Sequence, residues 1–259
     1  MQSTTNLRAG TALRRPQLDH RTAMRLAATE YDRFTELLES LTPEQWSAPT
    51  ECPAWDVRQL ACHVLGMAAY ASSIREGRRQ QKLAHKTLAK GGGGEFIDHL
   101  TDLQVRERAA LTPAQIIMHF RTLGPSAVKG RRRTPAIIRR RRMPEPQAIA
   151  GISEWWTIGF VTDVILTRDV WMHRVDLSRA IGRPVRLSAD HDGELIADVV
   201  REWAGRHGQP FRLRLTGPAG GTWSSGTDGE TLELDAVEFC RILSEREVGT
   251  GLLATPVPF

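Results

Sequence analysis

Along residues 19–41, apolar side chains recur at spacings of three and four: Ala23, Met24, Ala27, Tyr31, Phe34, Leu37, Leu38 and Leu41. That is the period of a helix burying one face, so the pattern predicts an amphipathic helix there. "LTPEQW" then opens a short turn-like segment, with Thr42 and Pro43 suited to the cap and first position of a helix. Asp56 is placed to cap a second helix over 57–76, in which Leu60, Val64 and Met67 repeat at helical spacing. The glycines of "KGGGGEF" predict a flexible break, followed by helices over 95–110 and 113–128. A further long helix is expected over 153–181, bent near Gly159 and ended by Gly182 and Pro184. Long helices joined by one long connection predict a four-helix bundle over 19–183. Residues 1–18 show no periodicity and are expected to be disordered.

After Pro184 the texture changes. "SADHDGELIADVVREWAGRHG" reads as a helix, and "FRLRLTG", "GTWSSG" and "ETLELD" read as short strands between glycine turns. "AVEFCRILS" closes the chain's regular elements as a short helix, giving a small α+β domain over 184–259.

Composition narrows the classes. A hydrophobic share of 41% supports a packed core. No apolar run reaches the roughly 18 residues that span a bilayer, and the N-terminal stretch has no signal-peptide core, so a soluble cytoplasmic protein without a membrane partner is expected. Cys52, Cys62 and Cys240 are odd in number and lack CxxC spacing. That suits a reducing compartment and argues against a disulfide framework or a cysteine zinc cage. The net charge of +5 is local, because the eight basic side chains of 129–142, "KGRRRTPAIIRRRR", exceed it by themselves. A solvated basic loop is the leading reading, a loop that meets anionic small molecules the second, and a nucleic-acid or anionic-membrane surface the least favoured, since no aromatics interleave the basic residues.

Candidate chemistry begins in "ILTRDVWMHRVDLSRAIGRP", where Asp169 precedes His173 by one helical turn and shares its face. Such a pair is more often a solvated ornament than a site. His63, in the apolar setting "VRQLACHVLGMAAY", is by itself more often a satisfied core histidine. Bundles, however, build sites from side chains on facing helices. His63, Asp169 and His173 together would supply three N/O ligands and leave a fourth position open, the arrangement of catalytic zinc. These donors suit Zn²⁺ or a similar divalent ion without selecting one.

"TPEQWSAPTECPAWDVRQLACHVLG" and "LTRDVWMHRVDLSRAIGRP" resemble the two signatures of the mycothiol-dependent maleylpyruvate isomerase family, a DinB-like actinobacterial group. The closing "LELDAVEFCRILSEREVGTGLLATPVPF" resembles the same family's C-terminal end. The resemblance implies a DinB-like bundle, a sterol-carrier-protein-like second domain, and a divalent metal, usually zinc, on His63, Asp169 and His173. Some members carry Glu where this chain has Asp169, one methylene shorter. The resemblance also implies mycothiol as thiol cosubstrate and a small-molecule electrophile as its partner. The reaction is then a thiol S-transfer or a cis–trans isomerisation. A dicarboxylate substrate calls for arginines, with Arg174, Arg241 and Arg246 as candidates. The family's arginine comes from the C-terminal domain, which points to Arg241 and Arg246 as the catalytic pair of candidates, although "LSER" replaces the more usual "LSGR". Asp176 either hydrogen-bonds a ligand histidine or pairs with Arg179. Trp55 and Trp171 are expected in the core, and Cys62 on a helix face other than that of His63. A non-catalytic DinB-like metal- or ligand-binding protein is the alternative.

Overall fold

The computed structural model describes residues 8–91 and 93–259. In chain order it runs β1 (Arg8–Arg14), α1 (His20–Glu39), a 3₁₀ turn (Glu44–Ser47), α2 (Val57–Ser72), α3 (Ile74–Leu88), α4 (Phe96–Arg108) and α5 (Pro113–Arg132). It continues with α6 (Ala136–Arg139), β2 (Gln147–Ile149), β3 (Ile152–Trp156), α7 (Ile158–Phe160), a π turn (Val161–Ile165) and α8 (Leu166–Ala180). The rest is α9 (Asp192–His207), β4 (Phe211–Thr216), β5 (Gly221–Ser225), β6 (Glu230–Asp235), α10 (Ala236–Leu243) and a 3₁₀ turn (Gly251–Ala254). Among the described residues no helix is long and apolar enough to cross a membrane.

The chain divides into two compact units, one of residues 20–135 and 166–185, the other of residues 1–19, 136–165 and 186–259. In the first, α1 packs on α5 and α8, and α2 packs on the same two, which closes a four-helix bundle. The α3–α4 hairpin packs against α2. Small residues set the spacing: a Cβ on Gly130 of α5 would stand 2.5 Å from the Ala71 carbonyl oxygen, so α5 lies against the end of α2. Leu26, Phe34, Leu60, Leu65, Ile116 and Trp171 form an apolar part of the bundle interior, beside buried polar and charged side chains. α2 starts where its sequence says, because Asp56 and Gln59 form a reciprocal capping box.

The second unit holds two three-stranded sheets. In one, β3 is central, parallel to β1 and antiparallel to β2. In the other, β4 is central, antiparallel to β5 and parallel to β6. Phe211, Leu213 and Leu215 alternate inward along β4, and Phe211 and Phe239 meet the edge of the buried Trp203 ring. The Trp203 indole nitrogen donates to the Leu252 carbonyl at 3.0 Å. Buried Glu154 on β3 accepts from Arg14, Arg206 and the Trp156 indole.

Several sequence expectations change. In the 1–18 segment, Arg8–Arg14 form strand β1 rather than a disordered arm, because β3 offers them a parallel edge; residues 1–7 lie outside the described residues. The helix expected over 57–76 breaks at Ser73, whose extended backbone and hydroxyl cap α3 instead. The expected start of the long 153–181 helix is β3, where Glu154 and Trp156 alternate inward in a β-branched and aromatic stretch. The segment expected to be a basic loop carries the end of α5 and the short α6. The expected 19–183 bundle is accordingly not continuous: residues 136–165 cluster with the α+β unit. Gly92 of the tetraglycine break lies outside the described residues.

Candidate metal centre

His63 sits in the middle of α2, one face of which is wholly buried. Asp169 and His173 lie one turn apart on α8, the helix that packs against α2. Their side chains converge: the Asp169 Oδ1 atom is 3.4 Å from His63 Nε2 and 3.5 Å from His173 Nε2. One ligand atom from each of the three residues falls within 4.8 Å of the others. Asp169 therefore reaches both rings despite its short side chain. His63 and His173 are 3% and 7% exposed, so the cluster is nearly dry.

Both imidazoles are tied at their far nitrogen. His63 Nδ1 is 2.8 Å from Gln104 Oε1, and His173 Nδ1 is 2.9 Å from Asp176 Oδ2. An amide oxygen and a carboxylate only accept, so each Nδ1 donates and each Nε2 is the nitrogen turned toward Asp169. The other Asp169 oxygen, Oδ2, is buried and has no hydrogen-bond partner among the described residues. A buried carboxylate oxygen without a donor is costly unless a cation stands there. Two imidazole nitrogens and the Asp169 carboxylate, one of whose oxygens is orphaned, fit a divalent ion such as zinc.

Charge reinforces the geometry. Burial by itself would raise the Asp169 carboxyl, but the His63 and His173 imidazoles outweigh it and hold the group well below the usual carboxylate range. Burial would likewise lower His173, but the Asp169 and Asp176 carboxylates, with the Cys52 thiol beside them, hold it well above its ordinary value. Without metal, a proton on His173 balances Asp169. On α1, the buried Tyr31 phenol is pushed up to about 12, mainly by burial, with Arg131 opposing and Asp169 adding. Arg131 donates to Thr167 Oγ1 at 2.6 Å.

The structure decides several sequence alternatives. Asp176 bonds His173, while Arg179 pairs with Glu51 instead. Cys62 is directed away from the cluster, toward the Arg108 carbonyl. Arg174 is buried and engaged by Glu30 at 2.5 Å, which corrects its place among the substrate clamps: a guanidinium neutralised inside the bundle has no fork left to offer. Arg241 and Arg246 belong to the α+β unit. Arg241 is buried and donates to Glu238 and Glu247; Arg246 follows α10, half-buried, its backbone N–H on the Arg241 carbonyl.

Two site neighbours escaped the sequence reading. Trp55, expected in the core, is half-buried and stacks on the His63 ring at 4.9 Å between centroids. Its signal was its place one residue before the Asp56 cap, which fixes the chain's entry into α2. Gln104 follows Leu100 by one turn on the buried face of α4, and an amide on an apolar face needs a buried partner.

Residues 27–178, which include all three clustered side chains, match the family model described as the mycothiol maleylpyruvate isomerase N-terminal domain. The chain belongs to that family. Uncharacterized proteins of two Mycobacterium tuberculosis strains, CDC 1551 / Oshkosh and ATCC 25618 / H37Rv, are similar to it. Each is 25% identical over 228 residues, covering 84% of this chain and 82% of the relative. Crystal structures of the mycothiol-dependent maleylpyruvate isomerase and of a histidine-to-alanine mutant of it share the fold. Both have a TM-score of 0.55 at 14% and 13% identity, over 89% of this chain and 90% of theirs. The helical bundle joined to a small α+β part is thus the architecture of this isomerase family.

Proposed function

We propose that the protein is a metal-dependent enzyme that uses mycothiol, in which a thiolate adds to an electrophilic small molecule. The observation that carries the reading is the orphaned, buried Asp169 Oδ2 beside two imidazoles whose Nε2 atoms converge on the same carboxylate. Family membership supports mycothiol as the thiol. A divalent ion held by His63, Asp169 and His173, zinc foremost, would supply a Lewis acid and favour the thiolate over the thiol.

The chain's own residues do the rest. Gln104 and Asp176 hold the imidazoles in the ligating tautomer. Trp55 covers the His63 ring and limits water there. Tyr31, kept neutral by burial, stays a phenol that can donate. In the isomerisation, the thiolate adds to one carbon of a cis double bond conjugated to a carbonyl, and the π electrons move onto that carbonyl. The new single bond rotates, and the electrons return to expel the thiolate and leave the trans alkene. In the S-transfer, the new C–S bond is kept, the carbon takes a proton and the thiol is consumed. Arg241 and Arg246 of the α+β unit are carried over from the family resemblance alone as candidates to bind a substrate carboxylate. This reading places the protein in a reducing cytoplasm, in keeping with its free cysteines.

The test is metal content and mycothiol conjugation on one preparation. About one divalent ion per chain, and thiol-dependent turnover lost with a chelator and regained with zinc, are expected. Thiol consumed in step with product identifies the transferase, and thiol recovered unchanged identifies the isomerase. Metal uptake without turnover against a panel of electrophiles would leave a binding protein, and no uptake would end the reading.

A further inference from the structure

Behind His63 the Gln104 contact continues into a line of hydrogen bonds that the proposed chemistry does not use. His63 Nδ1 meets Gln104 Oε1 at 2.8 Å, and Gln104 Nε2 donates to Gln80 Oε1 at 2.9 Å and faces Met67 Sδ. Gln80 Nε2 in turn donates to Glu76 Oε1 at 2.9 Å and to the Gly66 carbonyl at 3.2 Å. Gln80 and Gln104 are fully buried. Room for Gln104 comes from Gly66, where a Cβ would lie 2.5 Å from the Gln104 side chain.

A buried amide has two unlike ends, and its direction is set by what it faces. The Glu76 carboxylate and the Gly66 carbonyl only accept, so the Gln80 nitrogen must face them and its oxygen must face Gln104. Gln104 then turns its nitrogen to Gln80 and its oxygen to His63. The ring nitrogen opposite must donate, and that leaves Nε2 as the lone pair directed at Asp169. A reversed Gln104 would present an NH₂ group to Nδ1, and the neutral ring would carry its proton on the ligating nitrogen instead. Arg79 fixes the far end, holding Glu76 at 2.7 and 2.8 Å and Glu107 at 2.6 and 2.7 Å. This clamp keeps Glu76 ionised, its carboxyl drawn down to about 2 chiefly by the Arg79 hydrogen bonds.

We infer that Glu76 and Gln80 are positioning residues for the metal centre, selecting the ligating tautomer of His63 through the direction of the Gln104 amide. The inference rests on the proposed metal site. It predicts that Gln80→Leu, which touches neither ligand nor metal, frees Gln104 to reverse and weakens zinc binding about tenfold, the low end for supporting groups of this kind. Glu76→Gln should weaken it less, because the Gly66 carbonyl still orients Gln80. A carboxylate in place of the Gln104 amide accepts from Nδ1 in either direction, so in the Gln104→Glu background neither change should cost affinity. Glu107→Gln, which removes a charge of the same cluster but lies off the line, should leave affinity as it was.

The experiment is zinc affinity by chelator competition on these variants of the full chain, with metal-free thermal unfolding to establish that each folds. Weakening by Gln80→Leu that disappears with Gln104→Glu supports the relay. Unchanged affinity in Gln80→Leu and Glu76→Gln overturns it while leaving the metal site intact, and so does a loss that persists in the Gln104→Glu background. Should Gln80→Leu fail to fold, Glu76→Gln with and without Gln104→Glu gives the same decision. A wild-type chain that takes up no zinc overturns the site and the relay together.

Discussion

Removing the His173 ring takes away one of two imidazoles and the group that balances Asp169. His173→Ala and His63→Ala are each expected to reduce zinc from about one ion per chain to a small fraction, read by elemental analysis after dialysis. The sign of the pH dependence follows from His173, whose imidazole is held well above its ordinary value in the folded, metal-free protein. Its proton pair with Asp169 stabilises the metal-free fold fully below the unfolded value, and that contribution is lost as pH rises through the raised one. Metal binding runs the other way, because zinc must displace that proton. Zinc affinity should climb with pH until His173 is neutral, and a flat profile from pH 6 to 9 would contradict the assignment. Cys62 offers a check on burial: its thiol is pushed up to about 11, chiefly by desolvation. It should resist alkylation at pH 8 in the folded protein and react like an ordinary thiol once unfolded, as peptide mass analysis would read.

Elements show where the sequence was legible. Asp169 and His173 could be paired from sequence because one helical turn separates them, and the backbone guarantees that they share a face. His63 could be added because an apolar helix in a bundle has to face another helix. Gln104 and Trp55 could not be placed, since their contacts with His63 depend on how separate elements meet. The same limit explains β3, whose pattern is ambiguous until β1 and β2 pair with it from both sides. It also explains Ser73, where one residue's extended backbone splits a continuous helical pattern. Element contacts carry their own predictions. Asp56→Ala, which removes the cap of α2, should cost about 1 kcal/mol in denaturant unfolding. Gly130→Ala would gain helix propensity in isolation. Here its Cβ meets the Ala71 backbone oxygen at 2.5 Å, so a net loss of about 1–3 kcal/mol is expected.

Over the whole molecule, the excess of positive charge is less available than its count suggests. Arg131 is buried against Thr167, Arg139 is paired with Asp163 at 2.6 Å, and Arg142 lies over the Trp155 ring. Affinity for generic duplex DNA should therefore be no tighter than roughly micromolar at physiological salt, and a nanomolar value in a titration would revive a nucleic-acid role. Zinc should act on stability by mass action, adding about 2.7 kcal/mol at a free concentration one hundred times its Kd. The corresponding rise in Tm should be absent in His173→Ala.

The bundle is assembled from two separate stretches of chain, 20–135 and 166–185, with part of the other unit threaded between them. On a ribosome, His63 and its whole line of supporting amides emerge long before Asp169 or His173 exists. Three helices of the bundle are made, and thirty residues of another unit follow, before the helix that His63 faces is synthesised. In the proposed reading, metal capture would thereby be late in the protein's synthesis, tied to the arrival of α8, and a chain released early would carry His63 without Asp169 or His173.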